Sequence, residues 1–334
     1  MNNNTNPVWV VADQENCSLL PVTLQLVGKA RSLADDLGAS VEVVLLGDGV
    51  EAQAENLFGA GANRVYLGNS PELANYHPEV YTDSIAELAA GSKPQIILLG
   101  STPMGRELAP LVAARLETGL TAHCIDLGIN DDKILEQIIP AYGGEITIVC
   151  PERRPQMATV AQGVFSTPVP EPGRTGEIVP IEGPFQHKGR IETLEVVIEE
   201  PEGIPLDSAA CVLAGGAGAG DQNGWDLISQ LSTELNAGLG CTRPAVDEGW
   251  AELETMIGQS GKMVSPETYL GIGLSGEQQH MVGISGAKTM VAINNDRKSP
   301  VFSQVDFGIV DDCREFLPVL LEKIREYREK QVSC

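Results

Sequence analysis

Gly215-Gly-Ala-Gly-Ala-Gly220 stands between an apolar run and a segment with helical spacing. Glycines there let the main chain approach an anion, and a helix start offers unpaired N–H groups to phosphate. The loop departs from the GxGxxG dinucleotide fingerprint, because Gly220 is followed next by Gly224 and no clear acid stands about twenty residues on to hold a ribose. It reads equally as a phosphate loop or as a tight turn packing a helix on a strand. Three more glycine turns follow within 41 residues: Gly240-Cys-Thr-Arg243, Ile257-Gly-Gln-Ser260-Gly261 and Ser275-Gly-Glu-Gln-Gln-His280. Each joins a flexible backbone to hydrogen-bonding side chains, and any one could be an ordinary polar loop. Together they favour a cofactor gripped along a sheet edge.

Other chemistries find little support. The chain has four histidines and shows no HExxH, no Ser/His/Asp order and no Cys–His pair. His77 and His187 stand in proline-rich contexts that predict solvated rings, and His123 reads as satisfying a strand end. The seven cysteines are scattered without a CxxC pair, which predicts reduced thiols of a cytoplasmic protein and no metal cluster. Lys and Arg total 22 against 46 Asp and Glu, a formal charge of −24, which argues against a nucleic-acid or anionic-membrane partner. No unbroken run of about 20 apolar residues is present to span a bilayer, and the N-terminus lacks the basic and apolar regions of a secretory signal.

The elements that must position these turns follow from hydrophobic periodicity. Val8–Val11, Val41–Leu46, Arg64–Leu67 and Gln95–Leu99 read as buried strands, alternating with helical segments at 26–37, 51–58, 79–90 and 105–117. This predicts an α/β domain on a parallel sheet. Ile134–Ile139 and Ile146–Val149 follow without a helix and predict an antiparallel addition. From Ser166 to Pro205 there are seven prolines, so 166–205 is read as a connecting arm between domains 1–165 and 206–334, its one strand-like piece being Ile191–Ile198. The second domain restarts the pattern with strands at Ala210–Ala214 and Thr289–Ile293 and a final amphipathic helix through Leu317, Leu320, Leu321 and Ile324.

Longer stretches resemble the alpha subunit family of electron-transferring flavoproteins. They are GGAGAG, GLGCTRPAVDEGW, MIGQSGKMVSPETYLGIGLSGEQQHMVGISGAKTMVAINND and SPVFSQVDFGIVDDCREFLPVL, with GSTPMGRELAPLVAARLETGLTAHC and RRPQMATVAQGVF in the first half. The resemblance implies two α/β domains, each a mostly parallel sheet flanked by helices. The second would bind FAD on a fold like the dinucleotide-binding domain of thiamine-diphosphate enzymes. It further implies a heterodimer with a beta subunit, contacted mainly by the first domain, that carries electrons between dehydrogenases, such as acyl-CoA dehydrogenases, and an acceptor without substrate chemistry of its own. A subunit of an acyl-CoA reductase or an electron-bifurcating complex is the alternative, and a nucleotide module without flavin redox function a more distant one.

Carried over by motif, Thr242, Arg243, Ile257, Gly258, Gln259 and Ser260 would face the flavin, and Ser275, Gly276, Glu277, Gln278, Gln279 and His280 would lead to the histidine beside its pyrimidine ring. Asn294, Asp312 and Cys313 would lie on the adenosine side. Arg243 and His280, as cationic or donor groups, would favour extra negative charge on the reduced ring. A unit charge about 4 Å away at an effective dielectric of about 20 is worth roughly 4 kcal/mol, enough to move a one-electron potential by on the order of 100 mV. Several positions depart from the resembled pattern. Ala217 stands where an arginine is usual, Glu277 and Gln278 replace small and apolar residues, Ala161 and Gln162 replace Arg-Pro, and Thr242 and Ser260 exchange one hydroxyl residue for another.

Overall fold

Val8–Val11 form β1, a strand buried on both faces at the centre of the first sheet. The computed structural model describes residues 6–141, 144–185, 193–197, 203–206 and 209–332, in two compact units, 1–196 and 197–334. In the first unit a short hairpin, β2 (Gln14–Glu15) and β3 (Ser18–Leu19), leads into α1 (Pro21–Leu37). Then follow β4 (Val41–Gly47), α2 (Gln53–Ala60), β5 (Arg64–Asn69), α3 (Pro78–Ser92), β6 (Ile96–Gly100) and α4 (Pro103–Arg115). Gly38 ends α1 in the left-handed region, with φ of 66°, as its position predicts. The strand alternation sends Val8 and Val10 to a core under α1 and α2, and Trp9 and Val11 to a second core under α3 and α4.

Residues beyond α4 supply β7 (Leu120–Cys124), β8 (Asp126–Ile129), β9 (Leu135–Ala141), β10 (Gly144–Val149) and β11 (Gln156–Val160). The antiparallel portion is a separate three-stranded sheet, β10-β9-β8, rather than an extension of the main one. The proline-rich arm holds β12 (Glu177–Pro180), which pairs in parallel with β5 and completes the order β12-β5-β4-β1-β6-β11-β7. Proline is tolerated there because β12 is an edge strand and Pro180 is its last residue. The strand expected over Ile191–Ile198 is not formed at 193–197, where no neighbouring strand offers a ladder among the described residues; its other positions lie outside them.

The second unit contains β13 (Cys211–Gly215), α5 (Gln222–Leu235), β14 (Gly238–Cys241), α6 (Arg243–Asp247), β15 (Thr268–Ile272), α7 (Gln278–Met281), β16 (Thr289–Asn294), β17 (Phe307–Val310) and α8 (Cys313–Val332). Its five strands are all parallel in the order β14-β13-β15-β16-β17. Leu213, Ile272 and Ile293 pack under α5 and α8, while Val212, Ala214, Tyr269 and Ala292 face Ile257, Met281, Ile284 and Val301. The chain leaves β13 toward β14 on one side and returns to β15 on the other. This reversal opens a crevice at the carboxyl ends of β13 and β15, the place where open α/β sheets bind ligands.

The glycine loop after β13 fills the inner wall of that crevice. Gly218 donates its N–H to the Gly273 carbonyl at 2.8 Å, and a Cβ on Gly218 would lie 2.6 Å from the Gly273 Cα. We expect Gly218→Ala to force the two loops apart and cost about 1–3 kcal/mol, read as a lowered urea midpoint. An unchanged midpoint would show that the loops do not depend on this approach.

Candidate functional site

Because the strands run parallel, every residue singled out in the second unit follows a strand at the same edge. Thr242 and Arg243 follow β14, Ser275 to His280 follow β15, Asn294 ends β16, and Asp312 and Cys313 follow β17. The Ile257 turn joins the same edge through Met256, which bridges in parallel to Cys241, and through the Ile257 N–H, which donates to the Cys241 carbonyl at 2.9 Å. Neighbouring strands lie about 4.8 Å apart, so five present an edge about 19 Å long. That length suits a ligand made of two ring systems joined by a charged linker.

The residues expected to face the flavin come together around two turns. The Gln259 N–H donates to the Gln279 carbonyl at 2.7 Å, and a Cβ on Gly258, whose φ is 142°, would sit 2.5 Å from that oxygen. The side chains of Gln259, Ser260, Ser275, Glu277, Gln278 and Gln279 are exposed, and Gly276 takes φ of 82°. Thr242 is buried and its hydroxyl has no hydrogen-bond partner. A buried hydroxyl without a partner costs free energy that a ligand atom could recover. Arg243 opens α6 with 66% of its side chain exposed, and its Nε donates to Asp247 at 2.7 Å. That carboxylate raises the guanidinium pKa and partly screens its charge in the lone chain.

His280 corrects the sequence reading. Its ring is 7% exposed, with Nδ1 3.0 Å from the Ile257 carbonyl oxygen and Nε2 2.7 Å from the Tyr269 hydroxyl. Burial depresses its pKa to about 4, and the hydrogen bond to Ile257 opposes that only in part. The ring is therefore neutral near pH 7, and both nitrogens are engaged within the chain, so it is neither a cation nor a free donor.

The residues expected on the adenosine side have their polar atoms paired within the chain. Asn294 donates from Nδ2 to the Leu274 carbonyl at 2.8 Å and accepts the Asp296 N–H on Oδ1 at 2.8 Å. Asp312 accepts the Arg314 N–H at 2.9 Å and pairs with its guanidinium at 3.1 Å, which lowers the carboxyl pKa. Cys313 is buried, its Sγ 3.2 Å from the Gly218 carbonyl, and burial pushes its thiol up. Asn294 and Cys313 tie one loop to another, while Asp312 orders the start of α8 through Arg314.

The phosphate reading of the first glycine loop weakens. Asp221 caps α5 by accepting the Gly224 N–H at 3.0 Å, placing a carboxylate where an anion would sit. Gly215, Gly216 and Gly218 have Trp225, Leu274 and Gly273 in their Cβ positions, so close packing requires them. Sequence reasoning missed Tyr269, hidden as one more apolar strand residue, and Ser299, whose buried hydroxyl donates to the Ser275 carbonyl at 3.2 Å. It also missed Arg314, which lies beside Gly220; the amphipathic pattern of α8 gave no sign of that neighbour.

In the first unit the histidines differ from expectation. His77 is buried at the start of α3 rather than solvated. His187 lies outside the described residues. His123 stands in β7 with φ of 60°, its backbone N–H donating to the Thr159 hydroxyl at 2.8 Å and its Nδ1 3.0 Å from the Ser101 hydroxyl. A cleft of about 1000 Å³ between α3 and residues 180–185 is lined by Asp83, Glu87 and Glu182, a poor seat for an anionic ligand. Among the described residues no His/Cys/Asp/Glu group could hold a metal, and no helix is long and apolar enough to cross a membrane.

Fold and site define a doubly wound α/β nucleotide-binding unit with its crevice at the carboxyl edge. Residues 8–184 match the model of the Electron transfer flavoprotein domain, and residues 205–285 that of the Electron transfer flavoprotein FAD-binding domain. The chain belongs to the electron transfer flavoprotein alpha-subunit family, and its second unit is an FAD-binding domain. It is 39% identical to the electron transfer flavoprotein subunit alpha of Thermoanaerobacterium thermosaccharolyticum, over 98% of this chain and 100% of the relative. The subunit alpha of Megasphaera elsdenii is 36% identical over 96% and 97%. Lactate dehydrogenase (NAD(+),ferredoxin) subunit LctC of Acetobacterium woodii is 37% identical over 95% of this chain and 76% of its own. A solved thiamine diphosphate-dependent decarboxylase from Rhodococcus jostii covers 96% of this chain and 60% of that one at 12% identity and a TM-score of 0.25. The fold assignment therefore stands on the strand order.

His280 gives a pH test. Its pKa lies below the ordinary 6.5, so the folded chain disfavours the proton. Its contribution to stability is complete above pH 6.5 and is lost as pH falls toward about 4, amounting to about 3 kcal/mol. In an NMR titration its imidazole should stay neutral down to about pH 4. Titration near 6.5 would contradict the buried pairing.

Proposed function

We propose that this chain is the alpha subunit of a heterodimeric electron carrier that holds FAD along the carboxyl edge of its second sheet and passes electrons between a dehydrogenase and an acceptor. The convergence of Thr242–Arg243, Ile257–Ser260 and Ser275–His280 on that edge carries the reading. The unpartnered Thr242 hydroxyl is the observation that fits a ligand atom there. The redox chemistry, taking electrons from one protein and giving them to another, belongs to bound FAD.

The chain's own residues bind, orient and tune. Thr242 offers a hydroxyl, and the Ile257–Ser260 and Ser275–Gln279 turns offer polar side chains and backbone groups. Arg243 supplies the positive charge that favours the reduced ring. Asn294 and Cys313 brace the loops toward the adenosine end, where Asp312 pairs with Arg314. The open row of exposed polar side chains suits a cofactor whose other face is covered by a beta subunit. We read the first unit as the main beta-subunit contact, an acyl-CoA dehydrogenase or similar protein as the redox partner, and the cytoplasm as the compartment. The name of the Acetobacterium woodii relative favours a second reading, in which the chain is a fixed subunit of a larger dehydrogenase or bifurcating complex.

Co-expression with the beta partner should give a complex containing FAD. In that complex Arg243→Ala should lower the flavin midpoint potential by a few tens of mV, a modest effect because the side chain is exposed and screened. A flavin-free complex, or an unchanged potential in the variant, would contradict the assignment. A dehydrogenase that stays bound through purification, with more than one flavin per complex, would instead favour the second reading.

A further inference from the structure

The pair formed by Tyr269 and His280 carries more than the family assignment does. Tyr269 lies in β15 with its ring fully buried, and its hydroxyl meets His280 Nε2 at 2.7 Å. On the other side, Nδ1 of the same ring is 3.0 Å from the Ile257 carbonyl oxygen. A carbonyl oxygen only accepts, so Nδ1 carries the proton and donates it. The neutral ring then keeps its lone pair on Nε2, and the Tyr269 hydroxyl must be the donor there. The reverse tautomer would set the Nδ1 lone pair against the carbonyl oxygen. A flipped ring would put carbons against both partners. Charge does not rescue either alternative, because the buried site holds the ring neutral.

We propose that Tyr269 is a positioning residue: by donating its hydroxyl to Nε2 it supports the Nδ1–H tautomer that the Ile257 carbonyl selects, and keeps that histidine as a clamp between the Ile257–Ser260 turn and α7. The turn and the helix meet again at the Gln259–Gln279 bond of 2.7 Å. The turn also meets the segment just after α7, where a Cβ on Gly283 would lie 2.5 Å from the Gly258 nitrogen, so two close backbone approaches depend on the spacing that the histidine sets. His280 thus serves the cofactor edge through the turn it holds, with no N–H left to offer the ligand.

The tautomer part stands on the apo geometry alone; the effect on FAD rests on the function proposed above. Nitrogen-15 NMR of the FAD-free full chain should show His280 with a protonated Nδ1 and an unprotonated Nε2 near pH 7. A protonated Nε2 would overturn the proposal, and this measurement needs no variant. Tyr269→Phe should leave Nδ1 protonated against the Ile257 carbonyl, shift the nitrogen-15 resonance of Nε2, which loses its donor, and weaken FAD binding by the complex with the beta subunit about tenfold. A variant with unchanged affinity, or one whose Nε2 resonance does not move, would remove the positioning role. Absence of FAD from the wild-type complex would fail the functional reading, while the tautomer result would still decide the pairing.

Discussion

The second unit depends on one close backbone contact, the Gly218 N–H donating to the Gly273 carbonyl at 2.8 Å. It lies where the sheet reverses its winding, between the loops after β13 and β15. Two main chains can meet there only without side chains, since a Cβ on either glycine would fall within 2.8 Å of the other loop. Closing this seam places the ends of all five strands in one row. The parallel pairing then sends Thr242, Gly276, Asn294 and Asp312 to the same edge, although they are distant in sequence.

Along that edge the structure separates holding from contacting. Asn294, Asp312, Cys313 and His280 spend their polar atoms on neighbouring backbone or on Arg314 and Tyr269. Thr242, Gln259, Ser260, Ser275 and Gln278 leave theirs for another molecule or for solvent. Buried polar groups need complete satisfaction, while a binding surface needs groups that are not yet satisfied. The same row of loops meets both demands by pairing the polar atoms of one set within the chain and leaving those of the other unpaired. Arg243 stands at the junction, close to Asp247 and open to a partner.

Much of the fold was legible because short, Val-rich runs and helical spacing are local signals. Val8–Val11 and the glycine cap at Gly38 are read from their immediate neighbours alone. The edge strand at Glu177–Pro180 was not legible, since its pairing with Arg64–Leu67 is set across more than a hundred residues of chain and its prolines argue for a loop. At the site, the turns were visible as glycine beside polar side chains. Whether a glycine faces a ligand or a neighbouring loop was not visible, which is why the loop at 215–220 stayed open between two readings. The neutral state of His280 was equally hidden, because it is set by burial of the ring, which only the packing of distant segments creates.

The account is tested most directly by the structure of the FAD-loaded complex with its beta subunit. It predicts FAD stretched along the carboxyl edge of the five-stranded sheet, the isoalloxazine beside Thr242–Arg243 and Ile257–Ser260, and the adenosine toward Asn294 and Asp312. Electron density for FAD at the opposite edge of that sheet, or in the first unit, would contradict it.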